Sequence, residues 1–188
     1  MKIAPSLLAS DLTDLTGTLK VLDKGIVDYL HLDVMDGHFV PQLSFGEAIC
    51  KQIIAKSAIP ADVHLMVSKP ENEVPKYFSM KPEFITFHHE TTSFPIRLAQ
   101  TIREAGIKPG LAINPVTPIS SLSSLYPYFD MFLVMSIEPG FYGQSFLPNS
   151  LDRLKEFNYL REDLKKVKPI EDDFTPEPLS DSDSMDIN

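Results

Sequence analysis

Tryptophan is absent from the 188-residue chain, cysteine occurs once, as Cys50, and no glycine follows Gly143. A single cysteine excludes any disulfide within the chain and fits a reducing, cytoplasmic setting. No apolar run approaches the roughly 18 residues that suggest a membrane span. The opening "MKIAPSLLASD" lacks the longer apolar core and small-residue cleavage site of a secretory leader, so no membrane partner is expected. Basic excess is missing too: the net charge is −9, and residues 171–188 carry seven of the acidic residues and no Lys or Arg. Neither that stretch nor the rest of the chain offers the basic surface that nucleic-acid binding requires.

What is present is the composition of an ordinary globular domain, 43% hydrophobic and 23% charged. Strand-like runs at roughly 3–7, 28–35, 62–67, 84–88, 108–114 and 131–137 alternate with helical patterns at roughly 12–24, 46–56, 71–79, 95–105, 119–126 and 151–165. Asp11 and Ser44 read as N-caps of the first two helices, and Gly25 and Gly106 as stops for the first and fourth. Alternation of this kind predicts βαβ units and a parallel sheet. A doubly wound nucleotide-binding sheet is disfavoured because no G-x-G-x-x-G turn follows the first strand. The expected fold class is therefore α/β, a TIM-type (β/α) barrel, incomplete because about six units are legible where eight are needed. The expected division is a barrel domain over 1–166 and an acidic, disordered tail over 167–188, rich in Pro, Ser and Asp.

The stretch "YLHLDVMDGHFVP" places polar side chains where a buried strand should be apolar. Side chains alternate between faces, so His31, Asp33 and Met35 share one face, and Leu32 and Val34 the other. The next strand repeats the device, with His64 and Met66 on one face of "DVHLMV". The aliphatic residues suit the helix-covered side of a barrel, which leaves His31, Asp33 and His64 pointing inward near the strand ends where barrel active sites lie. Two imidazoles and a carboxylate make most of a divalent-metal site for Zn, Fe, Mn or Co, between which sequence does not choose. The competing reading is a set of hydrogen-bonded core residues, with Met35, Met66 and Met135 as core filler. His88 and His89 end the fourth strand, in a solvated or substrate-facing role, and His38 sits in the "DGHFVP" loop. After the sixth strand, Gly140 and Gly143 in "SIEPGFYGQSF" offer either a backbone anion site or a simple tight turn.

Taken together, "APSLLASD", "HLDVMDGHFVP", "VHLMVSKPE", "GLAINPVTP" and "LVMSIEPGFYGQSF" resemble, in order and spacing, the successive motifs of the ribulose-phosphate 3-epimerase family, from Met1 to about Arg161. The resemblance implies a TIM-barrel isomerase of the pentose phosphate pathway that interconverts ribulose 5-phosphate and xylulose 5-phosphate. It implies that His31, Asp33 and His64 bind one divalent metal ion and that Asp33 is one of two acid/base carboxylates. Ser6, Met35, Met66, Met135, Gly140, Gly143 and Gln144 would contact the sugar phosphate. Inverting C3 requires proton removal on one face and return on the other, hence two carboxylates with tuned pKa values.

The chain departs from the family where the second carboxylate and the last phosphate loop belong. Only "IEDDFTPE", Ile170 to Glu177, echoes the family's "I-E-V-D-G-G-I-T-P-E", placing Asp173 as the second acid. Strands seven and eight are not legible, which leaves the first and sixth strands as open edges. A homodimer or other homo-oligomer is one way to cover them. The alternative function is a catalytically impaired, truncated relative that binds the full-length enzyme as a regulatory partner.

Overall fold

The computed structural model describes residues 2–23, 25–141 and 143–166, with backbone alone for residue 166. Five strands, β1 (Leu30–Met35), β2 (Ala61–Met66), β3 (Phe84–His88), β4 (Lys108–Ile113) and β5 (Met131–Val134), form one sheet in the order β1-β2-β3-β4-β5. Every neighbouring pair is parallel. Strictly sequential order is what repeated βα units of one hand produce, and it is the order of a (β/α)-barrel arc. A doubly wound sheet would reverse order at a switch point, and none occurs in this sheet.

Helices α1 (Leu15–Leu22), α2 (Glu47–Lys56), α3 (Pro70–Glu73), α4 (Pro95–Glu104) and α5 (Ser150–Lys166) fill most of the connections. Leu32, Leu65, Ile85, Phe87 and Leu111 are fully buried, and with Ile53, Ile102 and Tyr77 they belong to the core. At β5, Phe132 packs against Phe129 and against Phe157 of α5, with centroids 5.9 and 5.5 Å away.

Several local expectations are corrected. The first expected strand, 3–7, is reduced to an isolated parallel bridge between Ser6 and His31, because Leu7–Ala9 turns into a 3₁₀ helix capped by the Ser6 hydroxyl. Backbone bonds such as His31 N–H to the Pro5 carbonyl at 3.0 Å, and the Ser6 hydroxyl to Asp33, tie it to β1. The legible strands are thus five rather than six. The helix expected at 71–79 is α3 followed by a 3₁₀ turn, Val74–Met80, and that expected at 119–126 is two 3₁₀ turns. Pro75 and Pro127 cannot donate the bond that would continue an α-helix. Asp14, not Asp11, caps α1 through Gly17 N–H at 2.8 Å, since Asp11 is engaged by Thr13 two residues on. Gly25 and Gly106, both at positive φ, do follow α1 and α4. Asp173 and the acidic stretch 167–188 lie outside the described residues. Among the described residues, β5 is ladder-paired on one side only.

Asp36 closes the turn after β1. Its Oδ1 accepts from His38 N–H at 2.8 Å and Phe39 N–H at 2.9 Å, and its Oδ2 from Ser68 N–H and the Ser68 hydroxyl, both at 2.8 Å. Burial would raise its pKa, but these donors outweigh it and bring it down to about 2. A depressed carboxylate stabilises the fold above its unfolded value near 4 and loses that contribution as pH falls through its folded value. Wild type is therefore expected to lose about 1–2 kcal/mol through this group between pH 5 and pH 2, after allowance for solvent screening. Chemical denaturation of wild type and Asp36→Asn across that range checks it; an identical pH slope in the two proteins would refute the assignment.

Candidate active site

The inward row of the sheet reads Asp33 on β1, His64 on β2, Thr86 on β3, Gly110 on β4 and Met131 on β5, each registered on the next. One turn of alternation earlier, His31 registers on Asp62. The pleat alone therefore brings His31, Asp33 and His64 to one face of neighbouring strands. His64 is 1% exposed and Asp33 9%. Three donor atoms converge: His31 Nε2 to His64 Nδ1 at 3.2 Å, His64 Nδ1 to Asp33 Oδ1 at 3.0 Å, and His31 Nε2 to Asp33 Oδ1 at 3.3 Å.

The surroundings fix each of these side chains. His31 Nδ1 lies 2.8 Å from Asp62 Oδ2, and the Thr86 hydroxyl donates to Asp62 Oδ1 at 2.6 Å. The Ser6 hydroxyl donates to Asp33 Oδ2 while accepting from Leu8 N–H. Ser44, expected as a helix cap, instead donates to the Asp33 carbonyl and accepts from Met35 N–H at 3.0 Å, and Gly46 stands at the start of α2. His64 Nε2 lies 2.9 Å from His88 Nε2, and His88 Nδ1 lies 3.4 Å from Glu90 Oε2.

Charge is tuned throughout. Burial opposes a charge on His31, but hydrogen bonds to Asp33 and Asp62 outweigh it and push its pKa up to about 10. Burial would raise Asp33, yet His31 and His64 hold it well below the usual carboxylate range. Burial pushes His88 down to about 4 despite the Glu90 carboxylate. Glu90 is held near 2, against burial, by His88, Thr117 and Asn114 N–H.

A cleft of about 550 Å³ opens over this cluster. Ser6, Met35, Met66, Met135, Gly140 and Gly143 line it together with His31, Asp33 and His64. Gly140, at φ +105°, is required there, since a Cβ would come within 2.8 Å of Val40 Cβ. Gln144 is not brought to the cleft: its amide donates to the carbonyls of Glu138 at 2.8 Å and Phe141 at 3.2 Å. His38 is exposed in its loop, as a loop residue should be. Sequence reasoning passed over Asp62 and Glu90. Asp62 carried a signal, since it sits two residues before His64 and shares its face; Glu90 lies beyond the strand end, where alternation says nothing.

The donor set fits a divalent cation. Three ligands each about 2.1 Å from one metal stand roughly 3.0–3.4 Å from each other in octahedral or tetrahedral geometry. The observed separations of 3.0, 3.2 and 3.3 Å fall in that interval. Asp62, facing the far nitrogen of His31, supplies the carboxylate–histidine support usual behind metal ligands. Among the described residues His31, Asp33 and His64 are the group that could hold an ion. No helix of the described residues is long and apolar enough to cross a membrane.

The profile of the ribulose-phosphate 3 epimerase family matches residues 2–172. The chain is 43% identical over 153 residues to the ribulose-phosphate 3-epimerase of Mycobacterium leprae, covering 81% of this chain and 67% of that protein. It is 34% identical over 166 residues to that of Bacillus subtilis, covering 88% and 76%, and 36% identical over 171 residues to that of Aquifex aeolicus, covering 91% and 77%. The chain thus spans about two thirds to three quarters of the length of these relatives, and 66% of the one from Mycobacterium bovis. A solved Bacillus subtilis protein with an EAL domain is similar at 12% identity and TM-score 0.47, over 87% of this chain and 44% of its own, too distant to bear on function. The match runs through every strand that carries the cluster, and with it the residues that build the cleft: this chain belongs to the ribulose-phosphate 3-epimerase family, a family of isomerases.

Proposed function

We propose that the chain is a ribulose-phosphate 3-epimerase, interconverting D-ribulose 5-phosphate and D-xylulose 5-phosphate by proton transfer at C3. The observation that carries it is the His31–Asp33–His64 cluster opening onto a methionine-lined cleft. Asp33 takes the C3 proton through Oδ2, the oxygen that Ser6 orients, while Oδ1 faces the two imidazoles. Met35, Met66 and Met135 give the reacting carbons an apolar wall that excludes water. His31 Nε2, Asp33 Oδ1 and His64 Nδ1 would hold a divalent cation, Zn, Fe, Mn or Co, which would supply Lewis-acid stabilisation of the negative charge on the substrate oxygens. Gly140 and Gly143, both at positive φ, turn the loop over the cleft toward the phosphate end. Return of a proton on the opposite face is assigned to Asp173. The reading extends to a barrel whose arc is β1–β5, and to a homo-oligomeric, cytoplasmic enzyme of the pentose phosphate pathway; the one-sided pairing of β5 and the single buried cysteine support it.

The test is NMR of the purified protein with ribulose 5-phosphate and a divalent metal in deuterium oxide. Deuterium at C3 together with xylulose 5-phosphate is the expected result. Deuterium without inversion would remove the role of Asp173 and leave Asp33 acting alone. Neither label nor product would favour the impaired relative that binds a full-length partner.

A further inference from the structure

His88 ends β3, is fully buried, and takes no part in the proton transfer or the ligand set described above. Its ring stacks on that of His64, with centroids 5.0 Å apart and planes at 23°, and Phe39 packs against it at 4.8 Å. The two Nε2 atoms are 2.9 Å apart, a separation that needs a single proton between them: two N–H groups would clash, and two lone pairs would repel. Which ring carries that proton follows from what each ring meets at its other nitrogen. His88 Nδ1 faces Glu90 Oε2 at 3.4 Å, and Glu90 Oε1 is fixed by Asn114 N–H at 2.7 Å and the Thr117 hydroxyl. A cation on His64 Nδ1 requires a bare lone pair at that nitrogen, so His64 then carries its proton on Nε2 and His88 Nε2 is the acceptor. His88 then carries its own proton on Nδ1, which faces the Glu90 carboxylate.

We infer that His88, oriented by Glu90, is a positioning residue that locks His64 in the tautomer whose Nδ1 can hold the cation. The inference rests on the cation reading of the His31–Asp33–His64 cluster. It also assigns Glu90 a purpose: by facing His88 Nδ1 from a fixed place, it selects one of two otherwise similar imidazole tautomers.

Two measurements test it, both on the full chain. In zinc-loaded, ¹⁵N-histidine-labelled protein, long-range proton–nitrogen NMR should show His88 protonated at Nδ1 and His64 at Nε2; a His88 protonated at Nε2 overturns the inference. Cobalt(II) titrations followed by visible absorption should then show wild type binding, His88→Leu weakened about 10–100-fold, and His88→Gln, whose amide oxygen can still accept from His64, recovering most of the loss. Wild-type affinity in folded His88→Leu overturns the inference while leaving the cation reading intact. Absence of zinc or cobalt binding by wild type overturns the cation reading itself, and this inference with it. Should His88→Leu fail to fold, the wild-type tautomers alone decide the matter.

Discussion

Asp33→Asn is expected to lower epimerisation by about 10³-fold or more, the upper part of what a positioned general base contributes. The substitution keeps shape and nearly keeps volume, so Ser6, His31 and His64 still surround the group. What it removes is the proton acceptor at Oδ2 and the negative charge at Oδ1. Loss of the charge also weakens the cation site, so the measurement needs turnover at saturating manganese as well as at limiting metal. A kcat within about tenfold of wild type at saturating metal would mean that Asp33 is only a ligand and that another group moves the C3 proton. His31 would change with it. Its imidazolium is held between the carboxylates of Asp33 and Asp62, so its pKa should fall from about 10 when Asp33 is neutralised. Histidine NMR titration of the metal-free variant reads that shift separately from activity.

Gly110→Ala is expected to cost about 1–3 kcal/mol of stability, the usual range for overpacking a core. A Cβ on Gly110 would lie 2.3 Å from the Thr86 hydroxyl, 3.0 Å from Thr86 Cβ and 3.1 Å from Met131 Cε. Thr86 has no slack to yield: it is fully buried, and its hydroxyl is bonded to Asp62. Displacing that hydroxyl frees Asp62 Oδ1, and Asp62 is what holds His31 by its Nδ1. Cation affinity should therefore fall about tenfold, although residue 110 touches no ligand. Thermal unfolding and cobalt titration of Gly110→Ala, Thr86→Ala and the double variant separate the steps. Residues in contact couple by about 0.5–3 kcal/mol, so Gly110→Ala should be milder once Thr86 is truncated. An equal cost in both backgrounds would show that the glycine is needed for something other than room for Thr86.

The alternation in "HLDVM" and "DVHLM" was enough to place His31, Asp33 and His64 on one face, because a strand has a fixed two-residue period and an aliphatic partner face. The strands of the sheet were legible for the same reason, and the structure trims them by only a few residues. What failed was local. Ile3–Leu7 looked like a strand by composition, but the Ser6 hydroxyl competes for the backbone at Leu8 and starts a 3₁₀ turn. Ser44 looked like a helix cap by position, and instead it bonds the end of β1. Short polar side chains can satisfy several nearby backbone groups, and sequence does not say which. Gln144, expected at the substrate from its motif, donates its amide to two loop carbonyls, a pairing that no local pattern announces.

The sequence by itself determined the βα alternation, the inward face of β1 and β2 and the three donor residues, since each depends on periodicity within a few neighbouring residues. It also carried the family, through motifs spread from the first strand-like run to the loop after β5. Only the tertiary structure decided how the donors are held. Asp62 meets His31, Thr86 meets Asp62, and Gly110 makes room for Thr86, because four separate strands are brought into one register. In the same way His88 and Glu90 reach His64 across the sheet, over sequence separations that no local pattern encodes. Hydrogen bonds act over about 3 Å, and chain folding alone sets which groups come that near.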